Sequence, residues 1–216
     1  MNVYLIPGLG ADKRMYINQL KLFPEAVVLE HLHVITDNNL ADYAQRFLPL
    51  IDTSKPFVLI GTSLGGMIAQ ELSRSIKPEK LILISTIKGR HEMPFFIRSM
   101  KQLRLHRLLT GENFLRFNSV MAKRLDSRGD SPAAELIMQM SKDAHPRFVE
   151  WAINAVIHWQ GPQQHYPQTI HIHGTNDKLF PHSKIKNAWL VQGGSHVMNM
   201  TMSEEVNRLI LKAIRS

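Results

Sequence analysis

Apolar positions in this 216-residue chain fall into two kinds of pattern. Short unbroken runs alternate with stretches in which apolar residues recur every three or four positions, so strands and helices are predicted in turn. The runs predict strands over residues 3–6, 26–30, 57–60, 80–85, 169–173 and 188–191. The helical spacing covers residues 12–22, 40–51, 64–76 and 204–214. Asn38 and Asn39 are among the candidate N-caps for the second of these helices, and Ser203 for the last. Runs such as Leu81-Ile82-Leu83-Ile84 have no polar alternation, which suits strands buried on both faces of a parallel sheet. The expected fold is therefore α/β: a mainly parallel sheet of about six strands with helices on both faces.

Between residues 86 and 167 the strand pattern stops. Four helices of uneven regularity are expected there, over residues 95–109, 113–125, 132–140 and 146–159. The predicted organisation is a single-domain protein, with a core of residues 1–85 and 168–216 and a helical insertion at 86–167. Five methionines (Met93, Met100, Met121, Met138 and Met140) fall in this insertion, which suits an apolar substrate beneath it.

Composition narrows the picture without deciding it. The chain has 44% hydrophobic and 20% charged residues and no cysteine, so disulfides and thiolate metal sites are excluded. No cofactor or metal is expected. No apolar run approaches the roughly 18 residues that span a bilayer. The first residues lack the basic leader of an export signal, so a cytoplasmic protein is the expectation. The formal charge is +8, and residues 88–147 hold 12 Lys or Arg against 6 Asp or Glu. Such a segment is either a solvated helical face or a docking surface for an acidic partner, such as an acyl carrier. No aromatic stacking pattern or nucleic-acid motif accompanies it, and no nucleic-acid partner is expected.

The strongest chemical signal is Gly61-Thr62-Ser63-Leu64-Gly65-Gly66, placed between a predicted strand and a predicted helix. Gly-x-Ser-x-Gly in that setting raises a serine hydroxyl on a strained turn, with glycines where side chains would collide with neighbouring backbone. Positive φ is expected at Ser63. A glycine-rich turn carrying an ordinary serine is the structural alternative.

A serine hydroxyl needs a base, and a histidine base needs an orienting carboxylate. Asp177 follows the strand at 169–173, and His196 follows the last strand after Gly193 and Gly194. Their order, Ser63, Asp177, His196, is that of Ser…Asp…His hydrolases. His182 is the main competitor among the 11 histidines, and Asp177 has an alternative reading as a turn-forming residue. Oxyanion donors are expected from the backbone N–H groups of Leu64 and of Leu9, the latter in the loop Pro7-Gly8-Leu9-Gly10. That loop lacks the spacing of nucleotide-binding glycine motifs.

The segments LIPGLGAD, GTSLGGMIAQ, HGTND and GGSHVMNM resemble the α/β-hydrolase superfamily. The likeness is to small serine esterase and thioesterase members with a helical cap. It implies that residues 86–167 form a lid, that the sheet is shortened at the N-terminus by two strands, and that Ser63 attacks a carboxylic ester or thioester through an acyl-enzyme. The chain has Pro7-Gly8 where the family often has His-Gly. Ser63 argues against epoxide hydrolases and haloalkane dehalogenases, which use an Asp nucleophile. A ligand-binding or lyase-type protein on the same scaffold is the alternative function.

Overall fold

The structure, a computed structural model, describes residues 1–33, 38–102, 125 and 132–216. Six strands form one sheet in the order β2-β1-β3-β4-β5-β6, and every pairing is parallel. They are β1 (Asn2–Ile6), β2 (Val27–Val28), β3 (Phe57–Thr62), β4 (Lys80–Ile84), β5 (Thr169–Gly174) and β6 (Trp189–Val191). The α/β expectation is met.

The strand side chains divide by the two-residue period of the pleat. Tyr4, Ile6, Phe57, Leu59, Leu81 and Leu83 join the core on one face, beneath α2 (Leu40–Gln45) and α3 (Leu64–Leu72). Val3, Leu5, Val58, Ile60, Ile82 and Ile84 join the core on the other face. There they meet α8 (Ser203–Arg215) through Val206, Leu209 and Ile210, together with the chain after β1 through Met15 and Tyr16. Because both faces of the central strands are covered, continuous apolar runs were required there rather than alternating ones.

Several boundaries differ from the sequence pattern, each for a local reason. The helix expected over 12–22 is a 3₁₀ turn, Lys13–Tyr16, followed by a short α1 (Ile17–Leu22). The Asp12 side chain caps the turn by accepting from the Arg14 N–H. The helix expected over 40–51 ends at Gln45, and residues Leu48–Leu50 form a 3₁₀ turn. Pro49 has no N–H to donate to the Gln45 carbonyl, so the α-helix cannot continue through it. Asn39 caps α2 as expected, its side chain accepting from the Asp42 N–H at 3.0 Å. At the last helix the correction is one residue: Met202 is the cap and Ser203 is already helical. A short α7 (Met198–Thr201), absent from the sequence pattern, precedes it.

In the segment between β4 and β5, three helices are described: α4 (Phe95–Gln102), α5 (Pro132–Asp143) and α6 (Pro146–His158). The helix expected over 113–125 lies outside the described residues except for Leu125, as does much of the basic stretch between residues 103 and 131. Side-chain hydrogen bonds and ion pairs tie this segment to the core, among them the following. Trp159 Nε1 donates to the buried Glu71 carboxylate on α3 at 2.7 Å. Arg14 bridges Asp12 and Asp143 at 2.5 and 2.6 Å. No helix among the described residues is long and apolar enough to cross a membrane.

Candidate active site

Loops leaving the carboxyl ends of β1, β3, β5 and β6 converge on one region, where ligands bind in open parallel sheets. The turn after β3 carries a non-glycine residue at positive φ, a conformation that L side chains rarely adopt. Ser63 has φ 54° and ψ −118°. Its N–H donates to the Ile84 carbonyl at 3.0 Å, and its own carbonyl accepts from the Thr86 hydroxyl at 2.7 Å. The flanking glycines are required by contact rather than by dihedral angle. A Cβ on Gly61 would lie 2.3 Å from the Gly65 oxygen, and one on Gly65 would lie 2.0 Å from the Ile6 oxygen. Gly66 lets α3 approach the chain after β4, where a Cβ would meet the Thr86 side chain at 2.6 Å. The tip of the turn therefore places the Ser63 hydroxyl at the N-terminus of α3.

Two further loops reach Ser63 because β5 and β6 are neighbours and their exits touch. A Cβ on Gly174 would lie 2.2 Å from the Gly194 oxygen, so the two chains run against each other at backbone distance. The Asn176 N–H donates to that same Gly194 oxygen at 2.9 Å. Asp177 on the first loop and His196 on the second are thus brought side by side. His196 Nδ1 lies 2.8 Å from Asp177 Oδ2, and His196 Nε2 lies 3.0 Å from Ser63 Oγ. With a carboxylate at Nδ1, that nitrogen carries the proton in the neutral ring, which leaves Nε2 to accept from the Ser63 hydroxyl.

Asp177 is buried, and its remaining oxygen is also satisfied. Oδ1 accepts from the N–H groups of Leu179 and Phe180, both at 2.8 Å. Burial works to raise its pKa. The adjacent His196 and His173 and the Phe180 N–H outweigh burial and hold the carboxyl below its ordinary range. His173, itself buried, sits with Nε2 3.5 Å from Asp177 Oδ2 and 2.8 Å from the Phe180 carbonyl. Burial pushes the pKa of His173 down, and that of His171 well down.

The sequence-selected residues Ser63, Asp177 and His196 thus lie in one hydrogen-bonded line. His182 is exposed, in a 3₁₀ turn, and is not part of it. Leu9 and Leu64 border the same cavity as Ser63. Among the described residues nothing accepts a hydrogen bond from either of their backbone N–H groups.

That cavity holds about 180 Å³. Its described walls are apolar apart from Ser63 and His196, and α6 contributes Ile153, Val156 and Ile157. Phe96 and Ile97 of α4 and Ile137 of α5 add to them. Sequence reasoning singled out none of these lining residues. The spacing of Ile153, Val156 and Ile157 marks one face of a helix, which was legible, but nothing in it indicated that the face looks toward Ser63. Among the described residues no group of three or more His, Asp or Glu is placed to hold a metal ion.

The fold, the serine turn after β3 and the strand-end loops together define an α/β hydrolase. The sequence model of the alpha/beta hydrolase family matches residues 3–209, and the chain belongs to that family. Searched against curated proteins, the sequence has no match. Solved structures with the same fold include a thermophilic esterase from Thermogutta terrifontis with malate bound. It has a TM-score of 0.74 and 21% identity over 100% of this chain and 89% of that one. A hydrolase from Pseudomonas aeruginosa PA01 is similar at a TM-score of 0.77 and 18% identity, over 100% and 90% of the two chains. The enol-lactonase from Burkholderia xenovorans LB400 is similar at 0.69 and 18%, over 100% and 91%. At these identities the likeness is one of fold.

Proposed function

We propose that the protein is a serine hydrolase that cleaves a carboxylic ester or thioester through an acyl-enzyme, with residues 86–167 as its cap. The observation that carries this reading is the line Ser63 Oγ, His196 Nε2, His196 Nδ1, Asp177 Oδ2, opening onto an apolar cavity. In the first half-reaction Ser63 Oγ attacks the acyl carbonyl carbon while its proton passes to His196 Nε2. The tetrahedral oxyanion is received by the N–H groups of Leu64 and Leu9. As the carbon–oxygen or carbon–sulfur bond breaks, His196 returns the proton to the leaving group. Water, deprotonated by the same nitrogen, then releases the acid. Asp177 holds the ring in the required tautomer and stabilises the imidazolium as it forms.

The cavity walls favour an uncharged, apolar acyl group, since no described wall residue offers a charge to pair with a carboxylate. Esterases and an enol-lactonase share this fold, which fits acyl-transfer chemistry at the site. The test is hydrolysis of p-nitrophenyl butyrate by wild type, Ser63→Ala and His196→Ala. Each variant is expected to lose about 10⁴- to 10⁶-fold in kcat. Retention of wild-type turnover by Ser63→Ala would overturn the reading.

A further inference from the structure

The loop after β1 stands between two cavities. Gly10 and Ala11 border both the apolar cavity containing Ser63 and a second cavity, of about 230 Å³, bordered by His31 and Phe148. His31 lies just beyond β2, and its ring stacks on Phe148 with centroids 4.4 Å apart. From there Nε2 reaches across to the Gly8 carbonyl oxygen at 2.9 Å. The carbonyl can only accept, so Nε2 carries the proton, and the enclosed Nδ1 has no partner among the described residues. Burial lowers the pKa of the ring to about 4, which keeps it neutral at physiological pH.

The partner of this hydrogen bond is what gives it a role. The Gly8 carbonyl and the Leu9 N–H belong to one peptide unit. A trans peptide is planar, with its C=O and N–H pointing in opposite directions. Fixing the carbonyl on the His31 side therefore fixes the N–H on the other side of the loop. The Ala11 N–H also donates to the Gly8 oxygen, at 3.1 Å, but it belongs to the same loop and moves with it. Among the described residues His31 is the tie to this carbonyl from outside the loop. Gly8 also lies close to the nucleophile, since a Cβ there would come within 3.4 Å of Ser63 Cβ.

We propose that His31 is a positioning residue for oxyanion stabilisation: its hydrogen bond to the Gly8 carbonyl sets the plane of the Gly8–Leu9 peptide and so aims the Leu9 N–H at the developing negative charge. A hydrogen bond at the carbonyl also polarises the peptide and makes its N–H a better donor. The inference rests on the serine hydrolase reading and adds a residue that neither touches substrate nor belongs to the Ser63–His196–Asp177 line.

The experiment compares kcat and KM on p-nitrophenyl butyrate for wild type, His31→Phe, His31→Gln and Ser63→Ala. His31→Phe keeps an aromatic ring against Phe148 and removes the donor. Its kcat is expected to fall about ten-fold with KM within about two-fold. That is less than the hundred- to thousand-fold lost when an oxyanion donor is removed outright, because the Leu9 N–H is still present and only its aim is loosened. His31→Gln places an amide N–H near the position of Nε2 and is expected to recover most of the loss, which a purely packing role does not predict. If His31→Phe is poorly folded, the comparison of His31→Gln with His31→Leu carries the same test. Wild-type kcat in the variant without a donor, or equal losses in Gln and the donor-free variant, overturns the assignment. Full activity in Ser63→Ala would instead remove the hydrolase reading and this inference with it. A silent Ser63→Ala beside an unaffected His31→Phe removes only the role of His31.

Discussion

Asp177 Oδ2 lies 2.8 Å from His196 Nδ1, while its second oxygen is occupied by the N–H groups of Leu179 and Phe180. The carboxylate is thus fixed by its own loop before it meets the histidine. Asp177→Asn keeps the shape but presents an amide that favours the wrong imidazole tautomer. We expect kcat on p-nitrophenyl butyrate to fall by about 10⁴-fold with a near-native circular dichroism spectrum. A decrease of less than ten-fold would show that His196 does not depend on Asp177.

Burial of His171 and His173 predicts a pH dependence of stability. Both have pKa values pushed below the ordinary histidine range, by burial first of all. In the unfolded chain they take up protons as pH falls through about 6.5, whereas the folded protein keeps them neutral until lower pH. Their contribution is therefore fully present above about pH 6.5 and is lost as pH falls from there toward their folded pKa values. Each steepens the fall by up to about 1.4 kcal/mol per pH unit. Urea unfolding between pH 7 and 5 should show a shallower slope for His171→Gln than for wild type, and coincident slopes would contradict this.

Gly65→Ala tests the turn itself. The added methyl would stand 2.0 Å from the Ile6 oxygen and 2.6 Å from the Pro7 oxygen, both backbone atoms with little room to yield. A loss of about 3–5 kcal/mol in unfolding free energy, or failure to accumulate as folded protein, is expected. Gly193→Ala is the contrast. Nothing lies within 4 Å of its Cβ position, so only the positive φ of 72° opposes the substitution. Its loss should be about 1–2 kcal/mol.

The apolar cavity sets acyl preference. Val156 on α6 lines the cavity that contains Ser63, so Val156→Trp fills part of the space open to an acyl chain. Across p-nitrophenyl acetate, butyrate, hexanoate and octanoate, kcat/KM of the variant should shift toward the shorter esters by about ten-fold or more. An unchanged profile would place the acyl group elsewhere.

Most of the fold could be read from the strands, because sheet burial on both faces leaves runs such as Leu81-Ile82-Leu83-Ile84 that few other environments produce. Ser63, Asp177 and His196 were legible for a related reason: each stands just past a strand end with glycines nearby, and the parallel sheet gathers those ends. The helix boundaries were less so: Pro49 marks a distorted last turn in the sequence, and Leu48–Leu50 are a 3₁₀ turn, but the Asp12 cap acts through a local hydrogen bond that apolar spacing does not record. The cavity lining was not legible, because Ile97, Ile137 and Ile153 come from three helices whose mutual placement is a tertiary matter. The hydrogen bond from His31 to Gly8 spans 23 residues and joins two loops, and no motif marks it.

The central claim is that Ser63 is an activated nucleophile. Labelling with a fluorophosphonate probe, followed by peptide mapping, tests it most directly. Wild type is expected to carry one equivalent of probe on the peptide containing Ser63, Ser63→Ala none, and His196→Ala far less than wild type. Equal labelling of wild type and Ser63→Ala, or a label mapped to another residue, would contradict it.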